Sequence, residues 1–119
     1  MNSRAKGARV ELAAAAALNA LGLSARRTVQ YQGLHSDGDV VVDGVSVHLE
    51  VKGRAEIHCY RWMDQAIEDA RRGRMPALLM KADRQPWLIC FRLTDLPCLF
   101  KAMQQDPAVR KVVDSWCQD

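Results

Sequence analysis

Asp37-Gly38-Asp39-Val40-Val41-Val42-Asp43-Gly44-Val45-Ser46-Val47-His48-Leu49-Glu50-Val51-Lys52 reads as two strands, the first with three valines in a row and the second alternating apolar with polar from Val45 to Lys52. That period of two predicts extended chain. Asp43-Gly44 predicts the turn, since both central positions of a tight hairpin favour residues that accept positive φ. With Val42 and Val45 flanking it, Val41 opposes Ser46, Val40 opposes Val47 and Asp39 opposes His48. Opposed residues share a face and successive residues alternate. One face then holds Val40, Val42, Val45, Val47, Leu49 and Val51. The other holds Asp39, Val41, Ser46, His48, Glu50 and Lys52.

The remaining segments read as helices and strands around this pair. Val10, Ala14, Ala17, Leu18 and Leu21 recur at helical spacing, predicting a helix from about Ser3 to Leu21 that stops at Gly22. Glu11 lies at the margin of its apolar face, where a carboxylate needs a partner or a path to solvent. Gly7, one turn earlier, leaves room for backbone or a ligand. Arg26 to Tyr31 predicts a first strand through Thr28, Val29 and Tyr31, with Gln32 to Ser36 as a loop. Gly53-Arg54-Ala55-Glu56 reads as a connection. A second helix is expected from about His58 to Arg72, ended by Gly73. Cys59, Met63, Ala66, Ile67 and Ala70 form its apolar face, Arg61, Gln65, Glu68 and Arg72 the opposite one, and Trp62 sits on the flank. Ala77 to Met80 and Trp87 to Phe91 predict strands whose continuous apolar character suits cover on both faces. Thr94 or Asp95 would cap a short helix to about Gln105, and Pro107 opens a last one to Trp116. The order predicts one α/β domain over 1–119, with a mixed five-stranded sheet flanked by helices.

Composition narrows the class. A chain of 119 residues with 49% hydrophobic and 26% charged positions suits one soluble globular domain with a modest core. No apolar run approaches the ~20 residues of a membrane span, and the alanine-rich stretch from Ala13 to Ala20 is too short. The N-terminus lacks a signal-peptide pattern, so a cytoplasmic location is the expectation. Cys59, Cys90, Cys98 and Cys117 are scattered without C-x-x-C, which predicts free thiols rather than a zinc site. The formal net charge is +3. Arg4, Lys6, Arg9, Arg26 and Arg27 precede the hairpin with only Glu11 against them, and Arg71, Arg72 and Arg74 follow the second helix. Such clusters suggest a polyanionic partner; they also fit a solvated basic surface.

The hairpin's polar face is the candidate chemistry. Asp39 and Glu50 become diagonal neighbours, roughly 5–8 Å apart at Cβ. Two carboxylates so placed repel unless a positive charge lies between them. A divalent cation with hard oxygen ligands would resolve this, and Mg²⁺ takes one or two carboxylates together with phosphate and water. Lys52 projects beside them as a point charge suited to phosphate or a polarised water. The same pattern also fits an amphipathic hairpin whose outer face is solvated.

Asp39 followed by Glu50-Val51-Lys52 on the next strand, after a Glu11-bearing helix and before a second helix, resembles the PD-(D/E)XK nuclease superfamily. Gly38 stands where the pattern usually has Pro. The opening Arg4-Ala5-Lys6-Gly7-Ala8-Arg9-Val10-Glu11, the pair Arg26-Arg27 and the approach from Ser36 to Asp39 resemble archaeal-type Holliday junction resolvases. Small phage endonucleases of the same superfamily are equally similar, especially around Trp62 and Gln65-Ala66. The likeness spans about residues 3–92 and implies a restriction-endonuclease-like core, α-βββ-α-ββ-α.

It further implies a metal-dependent endonuclease acting on branched or duplex DNA, with roles in DNA recombination or repair. Asp39 and Glu50 would hold Mg²⁺ or Mn²⁺, with the Val51 carbonyl as a third ligand and Glu11 joining directly or through water. Lys52 would orient the attacking water and offset charge on the transition state. A bound metal lowers the pKa of water and stabilises charge on phosphorus. Arg4, Lys6, Arg9, Arg26, Arg27 and Arg54 would contact phosphates. Resolvases of this type work as symmetric pairs, so a homodimer is expected. His48 could be an outer-shell or metal contact, or a solvated strand residue; Gln65 falls away from the apolar face. His35 and His58 read as surface residues, and Trp62, Trp87 and Trp116 as core or interface. The alternatives are a catalytically silent DNA-binding or assembly subunit of the same fold, and a structural protein with an amphipathic hairpin.

Overall fold

The computed structural model describes residues 3–28, 38–70 and 73–118. Helix α1 spans Ser3–Asn19 and is followed by strands β1 (Ala25–Arg27), β2 (Val40–Val42) and β3 (Val47–Arg54). Helix α2 (Cys59–Asp69), strands β4 (Met75–Ala82) and β5 (Leu88–Cys90), a 3₁₀ turn at Leu93–Asp95, and helices α3 (Leu96–Ala102) and α4 (Pro107–Trp116) complete the order. The expected sequence of elements is present, including the α3–α4 break at Pro107. The expected positions of Val29, Tyr31, the 32–36 loop, His35, Arg71 and Arg72 lie outside the described residues.

The five strands form two sheets rather than one. β1 and β2 pair antiparallel, Ala25 opposite Val42, and β3-β4-β5 form the second sheet. β3 runs parallel to β4, while β5 is antiparallel to β4. Between β2 and β3 only the bridges Val42–Val45 and Gly38–Leu49 remain. The Asp43-Gly44 turn forms, but only Gly44 has positive φ, at 80°. Gly38 also takes positive φ, and a Cβ there would stand 2.5 Å from the Leu49 carbonyl oxygen. That close approach makes the Gly38–Leu49 bridge, while the expected pairing of Val41 with Ser46, Val40 with Val47 and Asp39 with His48 is not found among the described residues.

Each helix covers a defined face. Leu49, Val51 and their neighbours on β3 meet two clusters, one with Ala14 and Ala15 of α1 and one with Ala102 and Val109 of α3 and α4. On the other face, Leu78 and Met80 of β4 pack with Trp62, Met63 and Ala66 of α2. Glu50 is registered opposite Leu78 and Lys52 opposite Met80, so the hairpin's polar residues share the α2-covered face. Consequently Val47 to Val51 are all buried, and His48 and Glu50 do not fit the alternative of a solvated outer face, although Ser46 is exposed.

Local departures have local causes. α1 ends at Asn19, whose side chain clamps the start of β1: Nδ2 donates to the Ala25 carbonyl and Oδ1 accepts from the Ala25 N–H at 2.7 Å. Leu21 therefore lies past the helix and is exposed, and Ala15 takes a place in the core. Gly7 meets no neighbour that a Cβ would touch, so no close approach explains it. Trp62 is buried core rather than flank, while Ile67 is turned outward. Gly53-Arg54 continue β3 instead of leaving it. β4 is central and buried, but β5 is an edge strand with Leu88 and Ile89 about half exposed, contrary to the expected two-sided cover. The four cysteines carry free thiols.

Candidate active site

Asp39 sits between the Gly38 turn and β2, and its backbone N–H donates to the Leu49 carbonyl at 2.8 Å. The Thr28 hydroxyl donates to the Gly38 carbonyl at 2.6 Å, fixing the turn from the other side. The Asp39 side chain then reaches across to β3, where Oδ2 accepts the Val51 N–H at 2.9 Å. This places it against Glu50, close enough for the two carboxyls to hydrogen-bond. The two carboxyls come together by a register other than the expected one: Asp39 bonds to Leu49 and Val51 instead of standing opposite His48.

Electrostatics separates the two acids. Burial, then the neighbouring Glu50 charge, push Asp39 up to about 6; Glu11 adds to the rise and the Val51 N–H opposes it. Burial also acts to raise Glu50. His48, the Asp39 carboxyl and Lys52 together outweigh that burial and hold Glu50 below the usual carboxylate value. One acid is thus ready to hold a proton and its partner to stay ionised.

Glu11, Asp39, Glu50 and Lys52 act on one locus, and Glu11 and Glu50, like Asp39, also have protein partners. Glu11 Oε1 accepts from Arg27 Nε at 2.7 Å, with both side chains largely shielded. Glu50 Oε1 lies 2.8 Å from His48 Nε2. His48 is wholly buried, which corrects the reading of it as a solvated strand residue. Arg27, expected on phosphate, is instead engaged with Glu11.

Among the described residues no group of three or more His, Cys, Asp or Glu side chains has metal-holding geometry. The donor set on offer is a carboxylate pair with adjoining backbone. It fits a hard divalent ion of the Mg²⁺ kind, which completes its octahedron with water and phosphate oxygens.

Beyond Lys52, β3 runs into a cleft of about 220 Å³ lined by Lys6, Arg9, Val10, Gly53, Lys81 and Asp83 among others. Lys81 was missed from sequence; its register opposite Gly53 on a parallel neighbour is what brings it there. Arg4 and Arg54 are exposed, as is Arg26, which lies 3.9 Å from Asp43. Gln65 is exposed and donates to Asp69, so nothing brings it to the acids. His58 is a surface residue, edge-on to Trp62. Trp116 is partly exposed and donates to the Leu21 carbonyl. Among the described residues no helix is long and apolar enough to cross a membrane.

The family model described as "Phage putative PDDEXK endonuclease" matches residues 2–115. No curated protein and no solved structure matches the chain significantly. The matched span contains every element from α1 to the end of α4 but its last residue, and all four residues of the acid–lysine locus. The chain therefore belongs to the phage endonuclease family of the PD-(D/E)XK nuclease superfamily.

Proposed function

We propose that the protein is a metal-dependent DNA endonuclease that hydrolyses phosphodiester bonds, with branched DNA such as a four-way junction as its preferred substrate. The observation carrying this reading is the Asp39 carboxylate bonded to the Val51 N–H next to Glu50, with Glu11 acting on Asp39 and Lys52 on Glu50. Asp39 and Glu50 would hold Mg²⁺ or Mn²⁺, with the Val51 carbonyl as an adjoining ligand and Glu11 behind them. When bound, the ion supplies a more acidic water and charge stabilisation at phosphorus.

The chain's own residues do the rest. The Val51 N–H and the Gly38 turn keep Asp39 aimed at β3. Lys52 offers an ammonium beside Glu50 to orient water and oppose negative charge building on the phosphate oxygens. Lys6, Arg9 and Lys81 carry positive charge along the cleft beyond it, where backbone phosphates would track without base readout. Contacts confined to the backbone suit selection by DNA shape. A homodimer belongs to the junction reading, and half-exposed Leu88 and Ile89 provide apolar surface for it.

The test is cleavage of a synthetic four-way junction and of its linear duplex arms in Mg²⁺. The wild type is expected to cut the junction faster. Asp39→Ala and Glu50→Ala are expected to lose about 100-fold or more in rate. Equal activity in these variants would overturn the site. DNA affinity without Mn²⁺ binding would instead support the silent DNA-binding subunit.

A further inference from the structure

His48 has no part in the reading above, yet it is the only wholly buried ionisable side chain among the described residues. It lies two residues before Glu50 on β3, so both side chains leave the same face of the sheet. Its Nε2 is 2.8 Å from Glu50 Oε1, a charge-assisted hydrogen bond sheltered from water on both sides. An ionised carboxylate only accepts, so Nε2 is the donor. Nδ1 is also buried and, among the described residues, has no hydrogen-bond partner. A buried imidazole with one nitrogen unmatched costs stability. A leucine would fill the same space without that cost.

From this geometry we infer that His48 is a positioning residue, which fixes the Glu50 carboxylate through Oε1 and leaves its other oxygen for a divalent cation. The inference rests on the metal-dependent reading of the site and names a member of it that no motif contains. Glu is flexible about three side-chain torsions, and a bound ion needs an oxygen in one place. Lys52 cannot do this work, being a long, partly exposed chain beyond Glu50. Asp39 cannot either, since it shares the cation. His48 is held rigidly by the strand and by the packing around it. Partners behind metal ligands commonly set affinity in this way.

Two amides separate positioning from packing. His48→Gln carries an N–H at the level of Nε2, whereas the N–H of His48→Asn reaches only the level of Nδ1. Calorimetric titration of the full chain with Mn²⁺, without DNA, is expected to show near wild-type affinity for H48Q. H48N is expected to bind about 10–100-fold more weakly. Circular dichroism checks the fold, and His48→Leu provides a space-filling arm expected to weaken Mn²⁺ binding as H48N does. Affinity equal to wild type in H48N and H48L would overturn the positioning role, as would equal weakening in H48Q and H48N. Failure of the wild type to bind Mn²⁺ would overturn the parent reading, and the inference with it; junction cleavage by Glu50→Ala distinguishes the two failures.

Discussion

At the scale of single residues, Asp39 is placed at a cost to the fold. Its carboxyl is part-buried beside Glu50 and rises to about 6 from an ordinary 3.8. A raised carboxyl holds its proton more tightly in the folded chain than in the unfolded one. Between about pH 4 and 6 the native state therefore binds more protons, and stability falls as pH rises through that window. Above it, the metal-free protein carries the full penalty. Asp39→Asn removes the charge while its amide oxygen can still accept the Val51 N–H. The variant is expected to be more stable than wild type at pH 8 by on the order of 1–3 kcal/mol. The gain should shrink towards zero below pH 4. Urea unfolding at both values measures it, and an equal gain at both would show that the shielded charge, by desolvation and by repulsion from Glu50, is not the cause. Loss of activity with gain of stability is the usual mark of a site strained for function.

At the scale of elements, β3 does most of the positioning because it is paired along its length to β4 and covered on both faces. Its odd-numbered valines and leucine hold α1, α3 and α4, while its even-numbered residues bring chemistry under α2. The alternation, the Asp43-Gly44 turn and the Glu50-Val51-Lys52 spacing were legible in sequence, because register and periodicity are local. The burial of the polar face was not. It depends on β4 lying parallel to β3 and importing α2 onto that face, a non-local pairing that no short pattern encodes. For the same reason β5 read as a central strand: an apolar strand looks alike whether it is covered by its own chain or left at an edge. The role of Gly38 was also hidden, since only the approach of the Leu49 backbone explains why a residue without Cβ stands there. Gly53 makes a comparable demand in α1 packing. A Cβ on it would stand 2.9 Å from a Val10 methyl, one residue from Glu11. Gly53→Ala should push α1 off β3, with a loss of about 1–3 kcal/mol. Junction cleavage should fall as Glu11 moves. A variant with unchanged thermal midpoint and unchanged rate would show that α1 tolerates the shift.

At the scale of the whole molecule, a net charge of +3 is small, and its layout matters more than its sum. Lys6 is exposed on α1 and lines the cleft, and Arg54 is exposed at the far end of β3. Arg27 carries the same charge but is turned inward to Glu11, with only 34% of its side chain exposed. Each phosphate neutralised by an exposed cation releases counterions, steepening the salt dependence of DNA binding by about 0.9 in log–log slope. Lys6→Ala and Arg54→Ala should each lower that slope by about 0.9. Arg27→Ala should leave it unchanged and still reduce cleavage, because it releases Glu11 from its fixed position. Fluorescence anisotropy of a labelled junction across a salt series, without divalent metal, supplies the slopes. If Arg27→Ala lowers the slope as much as Lys6→Ala does, Arg27 reaches phosphate, and its pairing with Glu11 is not what the bound state uses.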